Sequence, residues 1–122
     1  MELLQVALHV DDLARARTFY ELLLGYPAAA TFDPPGLVFF HVGGVRLLLD
    51  TGAPASLVYL KVDDLAGTLD RLQAAGVEVV SEAHVIFQHD DDALGPVGTD
   101  ESMAFVRDSE GNLVGLVSQV PR

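Results

Sequence analysis

Apolar and polar positions alternate over Leu4-Gln5-Val6-Ala7-Leu8-His9-Val10, the period of a half-buried strand. After Asp11-Asp12 the period changes. Leu13, Ala16, Phe19, Tyr20, Leu23 and Leu24 fall at i, i+3, i+4 spacing, which predicts an amphipathic helix from about Leu13 to Leu24. An aspartate before the helix can cap free N–H groups, and Gly25 suits the left-handed residue that closes it. A strand is predicted over Tyr26 to Phe32, and Asp33-Pro34-Pro35-Gly36 then breaks the chain. Leu37–Val42 and Val45–Asp50 flank Gly43-Gly44, the pattern of a tight hairpin.

The pattern then starts again. Leu8-His9-Val10-Asp11-Asp12-Leu13-Ala14 recurs 52 residues later as Leu60-Lys61-Val62-Asp63-Asp64-Leu65-Ala66. A strand over Leu57–Val62 precedes the second copy, and a helix from Leu65 to about Ala75 follows, with Leu65, Leu69 and Leu72 on one face and Gly76 at its end. Strands are predicted from Val77 to about Phe87, over Met103–Arg107 and over Leu113–Val117. The last two flank Asp108-Ser109-Glu110-Gly111-Asn112. Each half thus reads strand–helix–strand–strand–strand: unit one at 1–51, unit two at 55–120, joined near Thr51-Gly52-Ala53-Pro54 within a single domain of residues 1–122. The irregular stretch is Gln88 to Glu101, a mobile loop or a lid. Its Asp90-Asp91-Asp92 run lacks the alternating ligands and closing glutamate of a calcium loop, and reads as a solvated acidic segment.

Composition narrows the chemistry. Half of the 122 residues are hydrophobic, so a real core is available, yet the net charge is −11. Such a chain repels phosphate backbones and anionic lipid, so neither nucleic acid nor membrane is an expected partner, whereas a cationic ligand suits the charge. With no cysteine there is no thiolate metal site and no cysteine nucleophile. No apolar run approaches the ~18 residues of a spanning helix, and the acidic start Met1-Glu2-Leu3-Leu4 is unlike a secretory signal. A cytoplasmic protein is expected.

Two βαβββ units, each with a strand followed by Asp-Asp-Leu-Ala and a helix, resemble the vicinal oxygen chelate superfamily, which contains glyoxalase I, bleomycin-resistance and extradiol dioxygenase proteins. Val6 to Leu13, Phe19-Tyr20 and Leu24-Gly25 carry the resemblance. So does Phe105-Val106-Arg107-Asp108-Ser109-Glu110-Gly111-Asn112, which is similar to the family's F-x-D-P-x-G-N hairpin with Ser109 in the proline place. The resemblance implies an α+β fold in which a curved, mixed eight-strand sheet forms a cup with helices on its outer face, and it implies a homodimer. It also implies four metal positions, on the first and last strands of each unit. They fall on Gln5, Leu47, Leu57 and Gly115, of which only Gln5 carries a donor. The neighbours Arg46, Leu48, Val58, Val114 and Leu116 supply no replacement; Ser56 and Asp50 come within reach only of a larger slip. The expectation is therefore no cofactor, with a divalent metal only at a displaced site of His84, His89 and Glu101.

Alternation assigns the rest of the cup face: Ala7 and His9 beside Gln5, Leu49 beside Leu47 with Phe40 opposite, Tyr59 and Lys61 beyond Leu57, and Val117 beyond Gly115. His41 falls on the opposite parity and reads as structural. The expected ligand-binding set is Gln5, His9, Phe40, Leu47, Leu57, Tyr59 and Gly115, with His9 and Tyr59 as candidates for acid–base chemistry. Three functions stay open: a metal-free small-molecule binder, an enzyme (lyase, isomerase or dioxygenase) using a displaced metal or acid–base chemistry, and a structural dimer with a filled cup.

Overall fold

The computed structural model describes residues 4–55 and 57–122. The elements are β1 (Gln5–His9), α1 (Leu13–Leu24), β2 (Ala30–Phe32), β3 (Leu37–Val42), β4 (Val45–Asp50), β5 (Val58–Lys61), α2 (Leu65–Ala74), β6 (Val79–Gln88), β7 (Thr99–Arg107) and β8 (Leu113–Pro121). The eight strands divide into two four-stranded sheets of the same topology, ordered β1-β4-β3-β2 and β5-β8-β7-β6. In each, the first strand of the unit runs parallel to the last, and the other pairs are antiparallel. The sequence repeat is thus a repeat of α+β structure.

The chain forms two units. The first comprises the described residues up to Leu57 together with Asp108–Asn112; the second comprises Val58–Arg107 and Leu113–Arg122. In the first, the Asp12 side chain accepts from Arg15 N–H at 3.0 Å, and Gly25 closes α1 in the left-handed region at φ 85°. Ala16, Tyr20 and Leu23 are the buried face of this helix. They join Leu8, Val10, Val38, Phe40, Leu47 and Leu49 in one apolar core. In the second, the Asp64 side chain accepts from Gly67 N–H at 3.0 Å, and Leu65, Leu69 and Leu72 are buried with Leu60, Ala104, Val106, Val114 and Leu116.

Several element boundaries differ from expectation. The strand expected from Tyr26 shortens to Ala30–Phe32, because Ala28 N–H is taken by the Glu21 carboxylate at 3.0 Å and Pro27 has no N–H to give. Conversely, β6 and β7 run on to Gln88 and back to Thr99, taking Gln88 and Thr99 to Glu101 from the two ends of the expected loop. β8 continues to Pro121 because Thr99 to Glu101 supply it with pairing partners. Among the described residues no helix is long and apolar enough to cross a membrane.

Candidate functional site

In the first unit, strand pairing decides which side chains stand opposite the helix. β1 pairs with β4 in the register Gln5↔Arg46, Ala7↔Leu48 and His9↔Asp50, and β3 adds Phe39↔Leu48 and His41↔Arg46. These residues therefore share the face away from α1. Phe40 and Leu47 do not. They are 0% and 2% exposed on the helix side, where the Tyr20 ring lies 6.4 Å from that of Phe40. The expected grouping of Gln5 and His9 with Leu47 and Phe40 is thus corrected by one residue of register, which turns every side chain of β4 over. His41, expected on the other face, stands with Gln5. The repeat fixes the equivalence: Tyr59 pairs with Gly115, and its counterpart Ala7 pairs with Leu48. The last-strand position of unit one is therefore Leu48, not Leu47.

Gln5, Arg46 and His9 on this face are already engaged. Gln5 Oε1 accepts from Arg46 Nε at 3.1 Å, and the Arg46 guanidinium lies 5.9 Å from the Phe39 ring centroid. His9 faces two acceptors: its Nδ1 is 2.8 Å from the Ala53 carbonyl and its Nε2 is 2.8 Å from Asp11 Oδ1. The hydrogen bond to Asp11, reinforced by Ala53, holds the imidazole above its ordinary pKa. Both ring nitrogens of His9 are thus held by acceptors within the unit. A small cleft of about 130 Å³ between Leu13, Ala14, Arg17, Thr31, Asp33 and Val38 is well below the size of a usual ligand pocket.

In the second unit, the alternation holds as expected. Tyr59 pairs with Gly115 and Lys61 with Val117, and β7 brings Phe105 opposite Gly115, Met103 opposite Val117 and Glu101 opposite Gln119. All stand on the face away from the buried Leu60, Leu116 and Ala104. The Tyr59 ring covers Gly115, so that a Cβ there would lie 2.5 Å from Tyr59 Cδ1. It also meets the Phe105 ring edge-on at 5.9 Å and remains 52% exposed. Leu57 precedes β5 and is 45% exposed.

The displaced-site candidates come together only in part. His89 is 1% exposed and its Nε2 donates to Glu101 Oε1 at 3.0 Å. Gln119 Nε2 donates to the same oxygen at 3.0 Å, and these bonds, that of Gln119 first, hold the Glu101 carboxyl below its usual pKa. His84 stays apart: its Nδ1 turns to the Glu82 carbonyl at 2.9 Å, and the strand neighbour of Glu101 is Phe87. Among the described residues no group of three histidines, aspartates or glutamates could hold a metal ion. The family's positions do not fit one either, since Leu48, Leu57 and Gly115 have no donor atom and the Gln5 oxygen is taken by Arg46. Ser56 lies outside the described residues. Gln119 and Phe105 were missing from the expected set, although carrying the alternation two residues past Val117 reaches Gln119.

Comparison with known proteins accords with this architecture. The family model described as Glyoxalase/Bleomycin resistance protein/Dioxygenase superfamily matches residues 2–116. No curated protein matches the chain. Among solved structures, a lactoylglutathione lyase from Agrobacterium tumefaciens is 24% identical, with a TM-score of 0.70 over 96% of this chain and 92% of that one. TioX from Micromonospora sp. ML1 is 21% identical, with a TM-score of 0.72 over 98% and 100%. A virulence protein from Salmonella typhimurium is 19% identical, with a TM-score of 0.73 over 98% of each chain. At these identities the likeness is one of fold.

Proposed function

This chain belongs to the Glyoxalase/Bleomycin resistance protein/Dioxygenase superfamily, and on that premise we propose that it binds a small molecule without the metal site of the superfamily's metal enzymes. The observation that carries this reading is the placement of Tyr59 over Gly115. Where the resemblance implies a metal-ligating side chain on the last strand, the chain has no side chain, and an aromatic ring occupies the space one would need. The exposed ring forms an apolar floor with the half-buried Phe105, Met103 and Val117, edged by polar groups, which is the composition of a ligand-binding surface. The engaged nitrogens of His9 weigh against the alternative of acid–base catalysis by His9 and Tyr59.

Two measurements test this. Titration with small aromatic compounds should show binding that Tyr59→Ala weakens at least tenfold. Elemental analysis of protein purified without chelator should find far less than one transition-metal ion per chain. Unchanged binding in Tyr59→Ala, or a stoichiometric metal, would contradict the reading.

We also propose that the protein is a homodimer. Val80, Val85, Ile86 and Phe87 are exposed along β6, an edge strand, and apolar edges of this kind seek cover. Light scattering at micromolar concentration should give twice the chain mass; the mass of a single chain would contradict it.

A further inference from the structure

Glu101 stands at one end of the Tyr59–Phe105 face, in the row Gln119–Glu101–Phe87, two residues along β7 from Met103 and four from Phe105. Its side chain is only 19% exposed, yet among the described residues no arginine or lysine pairs with it. His89 and Gln119 both donate to Oε1, and no hydrogen bond within the described residues reaches Oε2. The His89 ring is itself fixed, buried against Phe87 at 4.9 Å between ring centroids. Gly95, from the segment between β6 and β7, packs on the other side; a Cβ there would lie 2.7 Å from Gln119 Nε2 and 2.9 Å from His89 Cε1. The carboxylate is thus aimed by its surroundings, with both of their donors on one oxygen. A protein that fixes one oxygen of a carboxylate with two side-chain donors leaves the other as a pre-organised acceptor for a charged donor.

We infer that Glu101, held by His89 and Gln119, is the anchor for the positively charged head of a small organic cation, an ammonium or guanidinium, whose apolar body lies on Met103, Phe105 and Tyr59. This rests on the small-molecule reading of that face and names its ligand class. The net charge of −11 favours the approach of such a ligand, and the aromatic faces add cation–π attraction along its path. Among the described residues Lys61 is the one lysine or arginine in the adjacent row, which ends on His84; it is exposed on β5 and two strands away from Glu101. It lacks a comparable cradle, so a ligand carboxylate would gain no pre-organised partner there.

The test compares 2-phenylethylammonium, 2-phenylethanol and 3-phenylpropionate, matched in their apolar part and differing in charge. Binding is followed by ¹H–¹⁵N chemical-shift titration of the full chain, with the Gln119 side-chain amide as a local reporter. The ammonium should bind at least tenfold more tightly than the alcohol and shift the Gln119 amide. Glu101→Gln should bring the ammonium's affinity down to that of the alcohol, and Tyr59→Ala should weaken all three probes. The comparison of probes on the unaltered chain stands even if a variant fails to fold. Equal binding of ammonium and alcohol, both weakened by Tyr59→Ala, would overturn the anchor and leave the apolar face standing. Tightest binding of the carboxylate would also overturn it. So would shifts at Tyr59 and Phe105 that follow protein concentration rather than probe, which would put a second copy of the chain on the face. If no probe shifts these residues, the anchor and the reading it rests on fall together.

Discussion

The hydroxyl of Tyr20, in the middle of α1, donates to Asp108 Oδ2 at 2.9 Å, joining two residues 88 positions apart in the chain. Asp108 opens the turn between β7 and β8, and its other oxygen accepts from the backbone N–H groups of Glu110 and Asn112 at 2.8 Å each. Asn112 Nδ2 donates both to Asp108 Oδ2 and to the His9 carbonyl. Glu110 completes the arrangement: it accepts from the N–H groups of Asp11 and Asp12 and from Arg15 Nε, at the start of α1. The residues that carry the family resemblance in this turn therefore tie β1, α1 and the turn into one unit.

Removing the Tyr20 hydroxyl takes one donor from a buried carboxylate that keeps three others. Tyr20→Phe should destabilise the fold by about 1–2 kcal/mol, and Asp108→Ala, which strands several donors at once, by about 3 kcal/mol or more. Urea unfolding measures both. Equal stability of all three proteins would mean the network contributes nothing.

The Glu110 carboxyl is pulled down to about 2, chiefly by the Arg15 hydrogen bond and then by the backbone N–H groups of Asp12 and Asp11. A depressed carboxylate stabilises the fold above its unfolded pKa, and the contribution is lost as pH falls. Stability should therefore decline between about pH 4.5 and pH 2, by about 2–3 kcal/mol from this buried side chain. His9, raised by Asp11, acts in the opposite sense: its contribution is complete below about pH 6.5 and fades as pH rises through its folded value. Unfolding curves of Glu110→Gln and His9→Gln against pH check the two windows. The first variant should flatten the acid limb and leave the neutral limb alone.

Gly115 and Tyr59 should be energetically coupled. A methyl at 115 meets the ring, so Gly115→Ala should cost about 1–3 kcal/mol in the presence of Tyr59 and much less in Tyr59→Ala. A double-mutant cycle with no coupling would show that the ring moves aside freely, and that the space at Gly115 is open to a larger side chain.

Gly95→Ala should loosen the cradle of Glu101, because the added methyl collides with both Gln119 Nε2 and the His89 ring. The expected result is a shift of the Gln119 side-chain amide with a stability loss of about 1–2 kcal/mol. An unmoved amide would mean that the segment carrying Gly95 does not bear on the carboxylate.

Much of the fold is readable from the chain because its signals are local. The Asp-Asp-Leu-Ala repeat, the helical spacing of Leu13 to Leu24 and the glycines at 25 and 43 each name a cap, a stripe or a turn. The site was harder to read, for two physical reasons. Leu47, Leu48 and Leu49 are all apolar and all buried, so alternation gives no face to β4, and only its pairing with β1 does. Ser118 and Gln119 look like the end of a strand, yet pairing with Ser102 and Glu101 carries β8 through them. That extension is what delivers Gln119 to Glu101. The pairing of His89 with Glu101 follows from the extension of β6 and β7; the inclusion of His84 does not, because Phe87 is the residue opposite Glu101.

The most direct measurement is a ¹H–¹⁵N shift map of the protein titrated with a set of small aromatic fragments. The shifts should cluster on Tyr59, Lys61, Met103, Phe105 and Val117, one face of β5, β8 and β7. Clustering instead around Gln5 and Arg46, or on Leu13, Arg17 and Asp33, or no saturable shift at all, would contradict a small-molecule site on that face.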